Sequence, residues 1–78
     1  PGEEGMVLAT VRSISSRRVK GGRAMVTGDI ADETGRLKIS FFNQGWREKQ
    51  LPVGTEAIFY GKVEDFRGVR QMTNPVVT

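Results

Sequence analysis

Apolar residues recur at every second position along most of the chain, the period of strands whose alternate side chains face opposite ways. From Met6 to Ser16, Val7, Ala9 and Val11 share one face while Met6, Leu8 and Thr10 share the other. A segment apolar on both faces at its start and polar later predicts a long strand leaving the core. Arg17-Arg18-Val19-Lys20-Gly21-Gly22-Arg23 then predicts a loop or hairpin tip, because its charges and glycine pair do not suit a core element. Ala24 to Ala31 resumes the alternation, and Gly28 in its middle predicts a bulge or bend. Asp32-Glu33-Thr34-Gly35 predicts a tight turn, with Asp able to bond its own backbone and Gly free to take positive φ. Arg36 to Phe42 is the third predicted strand: Leu37, Ile39 and Phe41 lie on one face, Arg36, Lys38, Ser40 and Phe42 on the other. Within Asn43 to Gln50 starts the one helix-compatible stretch, Trp46 to Leu51, closed by Pro52 and Gly54. Thr55 to Glu64 predicts a fourth strand, Asp65 to Gly68 a hairpin loop, and Val69 to Thr73 a fifth strand.

Three strands, a short helix and two strands are the element order of an OB-fold. The expected fold class is therefore all-β, a five-stranded Greek-key OB-fold barrel with a short helix between strands three and four. Closure of the sheet would hide edges that an open sheet exposes, and an SH3-like barrel lacks a helix at that place. The 78 residues read as one unit, a single OB-fold domain over 1–78 with no repeats or internal linker. Ten glycines suit short strands joined by tight turns. Pro1, standing where an initiator Met would, suggests a piece excised from a larger chain, and Pro1 to Glu4 lack the basic and apolar regions of a leader. No apolar run approaches the length of about 18 residues needed to span a bilayer, so no membrane partner is expected.

Chemistry is narrowed by what is missing. Without Cys there is no disulfide framework, and without His as well no zinc ligand set or ordinary nucleophile–base pair. Asp29, Asp32 and Glu33 surround a predicted turn, as turn-forming and solubilising acids do. The stretch Gly54 to Lys62 resembles a phosphate-binding loop, but its spacing is wrong, Val63 replaces Ser or Thr, and it lies inside a predicted strand. No catalytic site is expected, and no metal.

Charge is more informative. The net charge is only +3, yet Arg12, Arg17, Arg18, Lys20 and Arg23 lie between Gly5 and Gly28 with no acid among them. In an OB-fold, the loop joining strands one and two and the loop joining strands four and five frame the ligand face. The first would carry Arg17, Arg18, Lys20 and Arg23, and the second Phe66, Arg67 and Arg70. A basic hairpin tip can simply be solvated; two on one face favour phosphate contacts. Phe42 is the sharpest signal, since alternation that buries Phe41 turns Phe42 outward, where an aromatic ring forgoes about 1.5–3 kcal/mol of burial. Trp46, four residues on, either forms a second ring beside it or caps the bottom of the barrel. Exposed rings of this kind stack on nucleic-acid bases.

Several runs resemble the wedge domain of RecG, the bacterial branched-DNA helicase. These are Ile30 to Leu37, Phe41-Phe42-Asn43, Leu51-Pro52-Val53-Gly54, Tyr60-Gly61-Lys62-Val63 and Gln71-Met72-Thr73-Asn74-Pro75, in the family's order over nearly the whole chain. The F-F-N and Q-M-x-N-P elements together are the specific ones. Asn74 stands where many relatives carry His, a departure expected to leave the binding face untouched, and the basic loop lies where the family varies. The resemblance implies a domain without its own catalysis or cofactor, part of an ATP-dependent DNA helicase. ATP and magnesium would belong to the motor domains of the same parent chain. Its implied partner is branched DNA, at stalled forks and Holliday junctions in recombination and repair, split by a monomeric wedge in the bacterial cytoplasm at the nucleoid. The second Phe of F-F-N and an aromatic four residues later would stack on unpaired bases; here these are Phe42 and Trp46. Other readings are an OB module for single-stranded nucleic acid or tRNA, and an interdomain or protein–protein OB adaptor that buries Phe42 against a neighbour.

Overall fold

The first strand outruns its alternation at both ends. In a computed structural model that describes residues 3–78, β1 spans Glu3–Arg18; Pro1 and Gly2, on which part of the leader reading rests, lie outside the described residues. β1 is long because it serves two partners. Its first half, Glu3 to Thr10, pairs antiparallel with β4 (Glu56–Phe66), and its second half, Thr10 to Arg18, pairs antiparallel with β2 (Ala24–Asp32). The change of partner is made at a register shift between Val11 and Ser13. There the Val11 N–H donates to the Thr55 carbonyl at 2.8 Å, and the Val11 carbonyl accepts from Gly54 N–H at 2.8 Å. Such a bulge sharpens the bend of the strand.

Arg17 and Arg18 consequently belong to β1 rather than to a loop, and the turn beyond them is confined to Lys20, Gly21 and Gly22. β3 (Gly35–Phe42) follows the turn, whose Asp32 Oδ1 accepts from the Thr34 N–H at 2.8 Å, the Thr34 hydroxyl at 2.7 Å and the Gly35 N–H at 3.0 Å. These bonds, the Thr34 hydroxyl foremost, hold the Asp32 carboxyl below its ordinary range, with Arg70 adding to the effect. α1 (Arg47–Gln50) is a single turn, followed by β4, β5 (Val69–Thr73) and a short β6 (Val76–Val77).

The expected five-stranded Greek-key barrel is corrected here. The described residues form six strands in one mixed sheet, in the order β1-β2-β3-β5-β4-β6 with the additional β1–β4 pairing. β5 runs parallel to β3, Lys38 opposite Gln71 and Ser40 opposite Thr73. The sixth strand exists because Asn74 takes a left-handed conformation (φ 50°) before the buried Pro75. The chain then turns back, and Val76 and Val77 pair antiparallel with Tyr60 and Phe59. The short helix between β3 and β4 stands where it was expected.

The inward faces form one core, its largest members Phe41, Phe59, Ile30, Ile39, Leu51 and Met72. Leu51, just after α1, is buried in this core, while α1 itself buries nothing. Gly28 is needed for space: a Cβ there would meet the Ser13 carbonyl at 2.6 Å and Ile14 Cδ1 at 2.9 Å. The bulge lies on β1, and Gly28 makes room for the strand beyond it. We expect Gly28→Ala to destabilise the domain by about 1–3 kcal/mol, as overpacking against backbone does; chemical denaturation with an unchanged m-value checks this.

Candidate nucleic-acid interface

Period-two alternation fixes which side chains can meet outside the core. In register across the sheet, Arg17 faces Met25 and Met25 faces Phe42, so the three form one row over β1, β2 and β3. The Arg17 guanidinium lies 3.9 Å from Met25 Sδ. The next outward row is Ser15, Thr27, Ser40 and Thr73, and the one after it Ser13, Asp29, Lys38 and Gln71. Ser13 donates to Asp29 Oδ2 at 2.9 Å, and the Ser15 and Thr27 hydroxyls are 3.5 Å apart. The surface is thus a shelf of short polar side chains, with cation, thioether and aromatic ring at one margin.

Phe42 is 43% exposed although it follows the fully buried Phe41. Asn43 then takes a left-handed conformation (φ 62°) and donates its N–H to the Ala24 carbonyl at 2.8 Å, bending the chain beside the start of β2. Gly45 sits against Ala24, where a Cβ would come within 3.3 Å of the Ala24 Cβ. Trp46 follows, 55% exposed. It is not part of the buried core, whereas Leu51 is.

Arg47, which alternation and charge counting passed over, lies 4.1 Å from the Trp46 ring centroid and 4.8 Å from that of Phe41. Such cation–π contacts are worth about 0.5–1 kcal/mol near a surface. Partial burial pulls its guanidinium below the usual value, yet arginine stays charged at neutral pH. Asn74, the residue at the departure from the family pattern, holds the Phe42 backbone: its Oδ1 accepts the Phe42 N–H at 2.9 Å.

Arg17, Arg18, Lys20 and Arg23 lie at the Phe42 end of the sheet, Arg18 donating to the Gly22 carbonyl across the hairpin tip. Arg67 and Arg70 do not join them. Because β5 runs parallel to β3, the β4–β5 tip lies at the Gly35 end, roughly 24 Å away along an eight-residue strand. Arg67 (φ 53°) stacks over the Phe66 ring at 5.3 Å, and the Arg70 guanidinium lies near Gly35 and the Asp32 carboxylate. Between the two ends, Lys38 and Arg36 extend outward in the phase of Phe42, a signal already present in the alternation of strand three.

Exposed apolarity alone would have pointed elsewhere. Met6 and Leu8 of β1, Tyr60 of β4 and Val76 of β6 form an outward strip away from the β1–β2 cations, with the Tyr60 hydroxyl donating to Glu4 at 2.9 Å. That carboxylate raises the tyrosine above its ordinary pKa. It is the coincidence of ring, cation and polar shelf that distinguishes the β1–β2–β3 surface. Among the described residues there is no group of three or more His, Cys, Asp and Glu able to hold a metal, and no helix is long and apolar enough to cross a membrane.

The same architecture occurs in the solved structure of RecG bound to a three-way DNA junction, with a TM-score of 0.78 and 24% identity. That likeness is one of fold. It covers 100% of this chain and 11% of the RecG chain. Comparison with the curated proteins finds no match. The family model for OB-fold nucleic acid binding domains of the tRNA-anticodon type matches residues 6–78, which take in all but the start of β1 and include Phe42 and Trp46. The chain belongs to the family of OB-fold nucleic acid binding domains.

Proposed function

We propose that this domain is the junction-binding wedge of a larger RecG-type helicase. Phe42 and Trp46 stack on bases exposed where a duplex opens, and Arg17, Arg18, Lys20 and Arg23 hold the adjoining phosphates. Arg67, with Arg70, receives the backbone of a strand that has crossed the shelf toward the Gly35 end. The observation that carries this reading is the row Arg17–Met25–Phe42, which sets a cation and an unburied ring on one margin of a polar surface. The fold likeness to RecG supports it. ATP hydrolysis, with its magnesium, belongs to motor domains of the parent chain, in a bacterial cytoplasm. The family match favours a second reading, an OB module for single-stranded nucleic acid or tRNA.

Titration of a three-way junction, a single strand and a plain duplex at matched ionic strength separates the readings. The wedge binds the junction best, with log K falling against log salt at a slope of about −3.6 if four duplex phosphates are neutralised. Equal or tighter binding of the plain single strand selects the second reading. A flat salt dependence removes the phosphate role of the β1–β2 cations. Binding to none of the three leaves the adaptor reading.

A further inference from the structure

Trp46 has little to hold it. It precedes a helix of four residues that has no side-chain cap and buries nothing, and its own ring is more than half exposed. A helix of one turn is not stable on its own, so the direction of this ring must be set by side-chain contacts that tie the turn to the sheet. Those contacts run unbroken to Phe42. The Phe42 N–H donates to Asn74 Oδ1 at 2.9 Å, and the same oxygen accepts from Gln44 Nε2 at 3.3 Å. The other end of that amide, Gln44 Oε1, accepts from Arg47 Nε at 3.0 Å. Arg47 Nη1 donates to Gln50 Oε1 at 2.8 Å, and its guanidinium lies against Trp46 on one side and Phe41 of the core on the other. Asn74 is itself anchored, its N–H donating to the Ser40 carbonyl at 2.6 Å.

We propose that Asn74, Gln44 and Arg47 form a polar relay that positions Phe42 and Trp46 as one preorganised two-ring stacking unit. The inference rests on the nucleic-acid reading above and deepens it. Gln44 is the centre, because its amide donates to Asn74 and accepts from Arg47, two roles that no apolar side chain fills. Arg47 covers one face of Trp46, so a base reaches only the other. Fixing the Trp46 ring and the Phe42 backbone before binding spares part of the ordering cost that a freely moving segment incurs on association.

Trp46 is the only tryptophan in the chain, so its fluorescence reports the relay directly in the free protein. Gln44→Leu keeps the side-chain bulk and removes both hydrogen bonds. Expected are stronger acrylamide quenching of Trp46, a lower fluorescence anisotropy, and a roughly three- to tenfold weaker affinity for a three-way junction. The thermal midpoint and the salt slope stay unchanged, since neither core nor phosphate contacts are altered. Arg47→Lys retains the charge but loses the flat stack and the Nε bond, and reproduces the loss; wild-type behaviour in it would show that charge alone suffices and overturn the relay. Unchanged quenching in Gln44→Leu overturns it too, whatever the affinity, as does increased quenching with unchanged affinity. If Phe42→Ala also leaves junction binding intact, the stacking role of the rings fails, and if the unaltered domain binds no nucleic acid the nucleic-acid reading itself fails, whereas the quenching of the free protein still judges the relay.

Discussion

Phe42→Ala is expected to weaken binding to a three-way junction by tenfold or more while leaving the thermal midpoint within a few degrees of the parent. Stacking of a base on an aromatic ring contributes about 1–3 kcal/mol by alanine substitution, and the upper part of that range exceeds a factor of ten. Stability should hardly change, because the ring is 43% exposed and its removal opens no enclosed cavity. The bond to Asn74 uses the Phe42 backbone N–H and survives the substitution. Titration of a labelled junction beside a thermal melt decides the matter. Should the variant unfold while its folded fraction binds normally, Phe42 is a structural residue and the stacking role is wrong.

Phe41→Ala, one position earlier, is expected to do the reverse. Phe41 is completely buried in the core with Phe59, Ile39 and Met72, and truncating a buried Phe costs about 3–5 kcal/mol in transfer and cavity terms. A domain of this length has a total stability of about 4–12 kcal/mol. The variant therefore loses a large share of it, with a midpoint lower by roughly 15–30 °C. It also removes the ring on the core side of Arg47, so any folded remainder should show a looser Trp46. Circular dichroism during thermal and denaturant unfolding measures the first effect, fluorescence quenching the second. A shift of only a few degrees would mean that this core is not packed around Phe41.

These opposite outcomes for adjacent phenylalanines follow from the order of apolar and polar residues along strand three. Alternation assigns Phe41 inward and Phe42 outward because a strand has a period of two, a local property of the backbone. The same locality explains why β2, β3 and β5 lie within a residue or so of where periodicity placed them, and why the Asp32–Gly35 turn formed as its residues suggest. The reach of β1 was less legible. Glu3 to Gly5 and Arg17 to Arg18 are strand because β4 and β2 pair with them, not because their own composition demands it. β6, two residues long, carries no periodicity at all.

The candidate site divides along the same line. The order of residues was enough to specify a small β domain with an outward ring at Phe42 and a cluster of cations before Gly28. Which of the chain's cations share the ring's end of the sheet depended on packing. Arg67 and Arg70 stand at the other end because β5 runs parallel to β3, and strand direction within a sheet is settled by pairing between distant segments. Packing also buried Leu51 and left Trp46 exposed, and brought Asn74, thirty-two residues from Phe42, to hold its backbone. Alternation is written residue by residue, whereas register, strand direction and hydrogen bonds between remote side chains exist only once the segments have packed.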